Sequence, residues 1–272
     1  MEVLEEGAGG GGAARSGWGE DSPTGQTTHR TARRAGLTPM RTAVRESNGW
    51  DRAGAALLLG LLAAGAVATG LAAAQYPGGT WMDRGAEGHS FWGNFLCDIA
   101  RDVALDGRPH PGALWGRVAE WALVLALGVF FWIAPALVEP RRSRRTLRLL
   151  GAVAALGLLL VPVTTGVPHA LALLAGAGPG YTAAVQVLRG LRHRPVLAAL
   201  GGLALGLAAM ELALFLGFQE RFSTGPLPLA VPAVQRLALL AATAWMGACG
   251  VAVLGTQEET AGASSTGSPR AT

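Results

Sequence analysis

The sequence predicts an all-α fold, a bundle of six transmembrane helices with N- and C-termini cytoplasmic and an interfacial helix in the first external loop. Three observations carry that expectation. Only 15% of the 272 residues are charged and half are hydrophobic, whereas about 25% charged residues is usual for a soluble domain. The uncharged residues are gathered in runs near the roughly 20 residues needed to cross about 30 Å of hydrocarbon. The arginines cluster between alternate runs, as they do in membrane proteins that keep basic loops inside the cell. There is no Gly-X-Y period, no sustained Glu/Lys heptad and only two Cys. Collagen, coiled-coil and disulfide-scaffold architectures are therefore excluded.

Six runs are assigned as spans: 54–75, 118–138, 149–165, 168–188, 195–218 and 231–254. The first has no charge. The second carries Trp121 near one end and Phe130, Phe131 and Trp132 near the other, an aromatic belt. The forty uncharged residues from Leu149 to Leu188 divide at Thr164-Thr165-Gly166-Val167-Pro168. Arginine position decides that division. With six spans, the inner segments hold Arg41, Arg45 and Arg52, then Arg141, Arg142, Arg144, Arg145 and Arg148, then Arg189, Arg192 and Arg194. A five-span arrangement would put the last cluster outside, against the positive-inside tendency. Two packing signals accompany the spans. Ala56, Gly60, Ala64, Ala68 and Ala72 recur every four residues, and Gly202-x-x-x-Gly206 repeats the pattern in the fifth span; small residues let membrane helices approach closely.

The ends are polar. Residues 1–50 contain five glycines among residues 7–12 and a Ser/Thr/Arg-rich stretch, with too little apolar surface to offset the entropy of ordering. Met40-Arg41-Thr42-Ala43-Val44-Arg45 resembles a basic start ahead of a first span, so residues 1–39 are either a disordered cytoplasmic tail or an upstream extension. Residues 256–272 read as a second disordered tail. Ala72-Ala73-Ala74 before Gln75 leaves a cleaved signal peptide as the rival to a retained first helix; the apolar run is longer than a signal usually has. All 22 basic residues are Arg and the net charge is +4. Lying beside apolar spans, these residues meet lipid headgroups. No nucleic-acid partner is expected, because basic residues interleaved with aromatics on a folded face are not visible.

The external loop, residues 76–116, is far longer than any other connection, and long structured connections are often functional. Ser90 is placed to cap an amphipathic helix over 90–105, with Gly107 as its stop. On it Phe91, Phe95, Ile99 and Val103 form an apolar face, and Asn94, Asp98, Arg101 and Asp102 the polar one. Tyr76-Pro77-Gly78-Gly79, followed by His89-Ser90-Phe91-Trp92-x-Asn94-Phe95-Leu96-Cys97-Asp98, resembles the first outer loop of a group of uncharacterised bacterial multi-pass membrane proteins. In that group a Y-P-G-G turn precedes an N-F-x-x-D-L segment, and Ile99 stands here where Leu is usual. The resemblance covers about 25 residues and implies a membrane family but no chemistry.

Ionisable residues within spans are costly and are functional candidates by default. Glu120, His169, Glu211 and Arg236 all fall toward the outer face, beneath the loop that carries Asn94 and Asp98. Two readings stay open. Either these six residues line a polar pocket open to the outside, or Glu211 and Arg236 form a structural pair while Glu120 and His169 reach the interface separately. No phosphate-binding loop, H-E-x-x-H, G-x-S-x-G or C-x-x-C is present. No cofactor and no metal site is expected; His89, His110 and His169 with Asp98 are the one set that merits checking. The leading expectation is an inner-membrane protein binding or moving a small molecule or lipid, with membrane lipids as its surroundings. A membrane-embedded enzyme for lipid or glycan precursors, using Asp98, Glu120, His169 and Glu211 as acid/base groups, and a purely structural subunit are the alternatives.

Overall fold

A computed structural model describes residues 49–138, 143–218, 220–221 and 226–255. Both tails, and with them the alternative start at Met40, lie outside the described residues. Six helices account for most of the rest: α1 (Gly49–Ala74), α2 (Ala113–Ile133), α3 (Ser143–Leu158), α4 (Gly166–Gly190), α5 (Pro195–Gly217) and α6 (Ala230–Gly255). Short 3-10 turns, Ala134–Ala136 and Val161–Val163, extend α2 and α3. All six are long and apolar enough to cross a membrane, and the chain is a multi-pass membrane protein.

Short connections make α3, α4 and α5 antiparallel neighbours in turn, and the most extensive pairings are α1 with α2, α3 with α4 and α5 with α6. Contacts of α1 with α6 and of α2 with α3 join the hairpins. The core holds Phe130, Phe131, Ile133 and Leu147 with Leu58, Trp245 and Val253, all buried. The helices overrun the expected spans at the arginine-rich side. There α3 begins at Ser143 and takes in Arg144, Arg145 and Arg148. The Arg148 guanidinium stacks 4.5 Å from the Trp132 ring, and its Nε donates to the Trp132 carbonyl.

The contact stripe on α1 differs from the expected one. Ala68 and Ala72 are buried, but Ala56, Gly60 and Ala64 are exposed, and the buried residues are Asp51, Ala55, Leu58, Gly65, Ala68 and Ala72. At about 100° per residue each four-residue step overshoots a turn by about 40°, so a strict four-residue repeat winds around the helix. A straight contact face alternates steps of three and four. A Cβ built on Gly65 would lie 3.4 Å from that of Ala122, which marks how closely α1 and α2 approach. The same geometry moves the close approach on α5 from Gly202 and Gly206, which meet nothing within 4 Å, to Gly201, where a Cβ would fall 2.6 Å from Trp245. The Gly176–Gly180 segment does not interrupt α4. Gly176 instead packs on Gly157 and Leu158 of α3.

The loop between α1 and α2 corrects the largest expectation. Between α1 and α2 no helix spans 90–105; only a 3-10 turn, Leu96–Ala100, is helical. Of the side chains assigned to the polar face, Asn94 and Asp98 turn inward and satisfy backbone groups, competing with helix formation, while Arg101 and Asp102 stay exposed. Ser90 Oγ accepts from the Gly93 amide, as a cap would, but Asn94 Oδ1 takes the Ser90 amide and its Nδ2 donates to the Gly79 carbonyl. Isolated β-bridges pair Gly78 with Glu87 and Val103 with Pro109. Gly79 is required where it stands. Its φ is +85°, and a Cβ would lie 2.5 Å from the Asp106 amide nitrogen.

Candidate functional site

The loop folds down as a cap on the ends of α1, α2 and α6. Ile99 of the 3-10 turn is fully buried, packed with Ala72, Tyr76, Leu96 and Ala104. Trp81 and Phe95 join Leu227 and Val231 in a second apolar cluster, and the Leu227 amide donates to the Trp81 carbonyl. His110 is buried and bridges both sides, with Nε2 3.1 Å from the Ala72 carbonyl of α1 and Nδ1 3.3 Å from the Arg101 carbonyl of the loop. At the surface, Arg117 of α2 pairs with Asp102 at 2.6 Å.

Beneath this cap the structure brings together four of the six candidate residues, Asn94, Asp98, Glu120 and Arg236, which are 0%, 1%, 6% and 4% exposed. Asp98 Oδ2 accepts from Trp81 Nε1 at 2.9 Å and from the Phe95 amide at 2.7 Å. Glu120, on α2, is close enough for its charge to act on Asp98. Its Oε2 is buried and has no hydrogen-bond partner among the described residues. Arg236 reaches from α6 into the loop: Nε donates to the Asn94 carbonyl at 3.2 Å, a terminal nitrogen lies 3.3 Å from His89 Nε2, and the guanidinium stands 5.4 Å from the Phe91 ring. The neighbouring Gln235 Oε1 accepts the Leu96 amide at 2.8 Å.

Two candidates lie apart. His169 Nδ1 is 3.1 Å from the carbonyls of Val161 and Thr164, closing the turn between α3 and α4. Glu211 is hydrogen-bonded by Gln235 and makes no ion pair with Arg236. The expected pair fails because the cap's unsatisfied carbonyl and the His89 ring are within the arginine's reach, so Arg236 turns toward them. His89, His110, His169 and Asp98 do not gather around one point; among the described residues no group of three or more His, Cys, Asp or Glu does. Reasoning from sequence missed Gln235, Tyr76 and the bridging role of His110. A polar Gln-Arg pair opening an apolar helix was the one available sign.

Burial pushes the Asp98 carboxyl from its ordinary 3.8 up to about 6, opposed by the Phe95 and Trp81 donors and by the positive Arg101 and Arg236. Burial, with the Arg236 charge beside it, pushes His89 from 6.5 down to about 4. The two act on stability in opposite directions. A raised carboxyl favours the folded cap when protonated, so its contribution fades as pH rises from about 4 to 6. A lowered imidazole favours the fold when neutral, so its contribution fades as pH falls from 6.5 to about 4. The windows overlap. Thermal unfolding of the purified protein should depend weakly on pH between 4 and 6. Asp98→Asn should lose stability as pH falls, and His89→Gln should gain it. Parallel curves for both variants would contradict this assignment.

Compared with known protein families, curated proteins and solved structures, the chain matches none.

Proposed function

We propose that this multi-pass protein resides in the cell inner membrane and binds or moves a small molecule or lipid at the polar site beneath its outer loop. The observation that carries this reading is Glu120. A buried carboxylate oxygen without a hydrogen-bond partner costs about 1–3 kcal/mol or more, and a ligand donor would remove that cost. Asp98, beside it, supplies a second acceptor, and Arg236 a cation. With these groups under 7% exposed, a ligand reaches them only when the cap shifts. The Tyr76-Pro77-Gly78-Gly79 resemblance adds a proposed tie to uncharacterised bacterial membrane proteins.

A structural role is the second reading, favoured by the bonds from Arg236 and Gln235 to the loop backbone. The enzyme reading has less support, since His169 and Glu211 stand away from Asp98 and Glu120. Native mass spectrometry of protein released from its own membrane separates the first two. Binding predicts a retained small molecule or lipid on the wild type that is lost from a stably folded Glu120→Gln variant. If neither protein carries a bound species and Glu120→Gln is as stable as the wild type, the binding reading fails. Orientation is tested separately: a reporter fused after Arg194 should report cytoplasm, and one near Gly107 should report the outside.

A further inference from the structure

The two ends of the bundle carry their charges differently. On the loop side acids and arginines are mixed, and Arg108 and Arg117 pair with Asp106 and Asp102. At the other end stand six arginines, Arg144, Arg145 and Arg148 on α3 and Arg189, Arg192 and Arg194 around the turn from α4 to α5. None of the six makes an ion pair among the described residues. Packing holds the two groups at one end: Leu147 of α3 and Leu191 of the turn are buried in one cluster with Val138, and a Cβ on Gly190 would lie 2.5 Å from that of Val138. No acidic residue stands in the first turn of α3 to offset the positive end of its dipole.

Two of these side chains meet the seam between α2 and α3. Arg148 lies on the Trp132 ring and gives its Nε to the Trp132 carbonyl. Its terminal nitrogens make no hydrogen bond among the described residues. Arg144 stands one turn earlier on the same side of α3. It is half-buried, and its Nε is buried with no hydrogen-bond partner among the described residues. A buried guanidinium donor without an acceptor is costly; Arg145, next to it, is exposed. Below the two arginines the seam is apolar and open at its edge. Trp132 is 54% exposed, and Leu125, two turns deeper on α2, is 50% exposed. Gly128 lies between them, where a Cβ would come 3.3 Å from that of Ala155 on α3.

We propose that this seam binds one anionic phospholipid, its phosphate held by Arg144 and Arg148 and an acyl chain laid along Trp132 and Leu125. Charge complementarity selects the headgroup. The two unesterified oxygens of a phosphodiester accept a side-by-side pair from the Nε and one terminal nitrogen of Arg144, with a further bond from Arg148. Arg144 is half-buried, so a turn of its side chain alone brings the Nε to the headgroup. A zwitterionic headgroup adds its own cation to a crowd of six and is disfavoured. The apolar track below the arginines selects a lipid over free phosphate. The site lies at the opposite end of the helices from the capped cluster and stands without the reading given for that cluster.

Native mass spectrometry of the whole protein in detergent, titrated with phosphatidylglycerol, tests this, with phosphatidylcholine and inorganic phosphate as the other probes. Arg144→Lys keeps the charge and removes the guanidinium fork. A charge-assisted hydrogen bond contributes about tenfold to a hundredfold in affinity, so this variant should bind phosphatidylglycerol at least about tenfold more weakly. Arg145→Lys should match the wild type, and Arg145→Gln should lose no more than about fivefold, the share of one exposed arginine at an anionic surface. Trp132→Ala removes the ring under Arg148 at an exposed position and should weaken binding by about threefold or more. Phosphatidylcholine should bind at least about tenfold more weakly, and equimolar inorganic phosphate should not displace the lipid. Wild-type affinity in Arg144→Lys or in Trp132→Ala, equal binding of phosphatidylcholine, or displacement by equimolar phosphate would each overturn the proposal. Should Arg144→Lys fail to fold, Trp132→Ala and the phosphatidylcholine comparison decide it.

Discussion

Replacing Asp98 with alanine should release the loop between α1 and α2 from the bundle. The carboxylate takes two buried donors on one oxygen, the Trp81 indole and the Phe95 amide. Truncation removes both bonds, and losing a buried hydrogen bond of this kind costs about 1–3 kcal/mol each. The expected loss is therefore about 2–6 kcal/mol, a large part of the stability of a small fold. Asp98→Asn separates hydrogen bonding from charge. Its amide oxygen can accept both donors, and at neutral pH it also removes the cost of holding a buried carboxylate ionised. At about 1.4 kcal/mol per pH decade between 3.8 and about 6, that cost is about 3 kcal/mol. Asparagine should thus equal or exceed the wild type in thermal unfolding at pH 7, while alanine falls well below it. Equal loss in both variants would mean that the carboxylate charge, rather than its bonds, holds the turn.

A second large effect is expected at Gly116. A Cβ there would overlap the Ile99 carbonyl oxygen and lie 2.7 Å from the Ala100 Cα. These are backbone atoms of the 3-10 turn, so no rotamer change can make room. Gly116→Val should expel the turn from its seat on α2 and expose the Ile99 cluster. The matched control is Gly60→Val, where nothing lies within 4 Å of the new Cβ. In limited proteolysis of the reconstituted protein, Gly116→Val should be cut within residues 76–112 much faster than the wild type, and Gly60→Val at the wild-type rate. Equal protection of all three proteins would show that the turn does not rest on α2.

The spans were legible because one variable, apolar length, decides them, and because arginine clusters split the ambiguous 149–188 run. The 90–105 segment was not legible for a matching reason. Its apolar spacing fits a helix, but Asn94 and Asp98 have a better use, Asn94 donating to the Gly79 carbonyl and Asp98 accepting from the Trp81 indole at 15 and 17 residues' separation. Local periodicity cannot register partners that only the folded loop brings close. Depth counting placed Glu120 and Arg236 at similar levels beneath the loop, and both do end under the cap. It carried no information about azimuth, however. Glu211 and His169 share that depth and face elsewhere. The small-residue stripe failed on azimuth too, since four-residue spacing drifts around α1 while the contact face does not.

Capping by a folded loop joins these points into one account. Arg236 and Gln235 belong to α6, Gly116 to α2 and His110 to the loop itself, and all act on the same short segment. Asp98 and Glu120 are buried because that segment closes over them. The most direct test is hydrogen–deuterium exchange of the protein in nanodiscs, read at the amides of Phe95, Leu96 and Leu105, which are bonded to Asp98, Gln235 and the Tyr76 hydroxyl. A docked cap predicts exchange at these amides slowed by at least about a hundredfold relative to an unstructured peptide, an opening free energy of about 2.7 kcal/mol or more. Arg236→Ala should bring those rates back toward the unprotected value. Exchange of these amides at unprotected rates in the wild type would contradict the account.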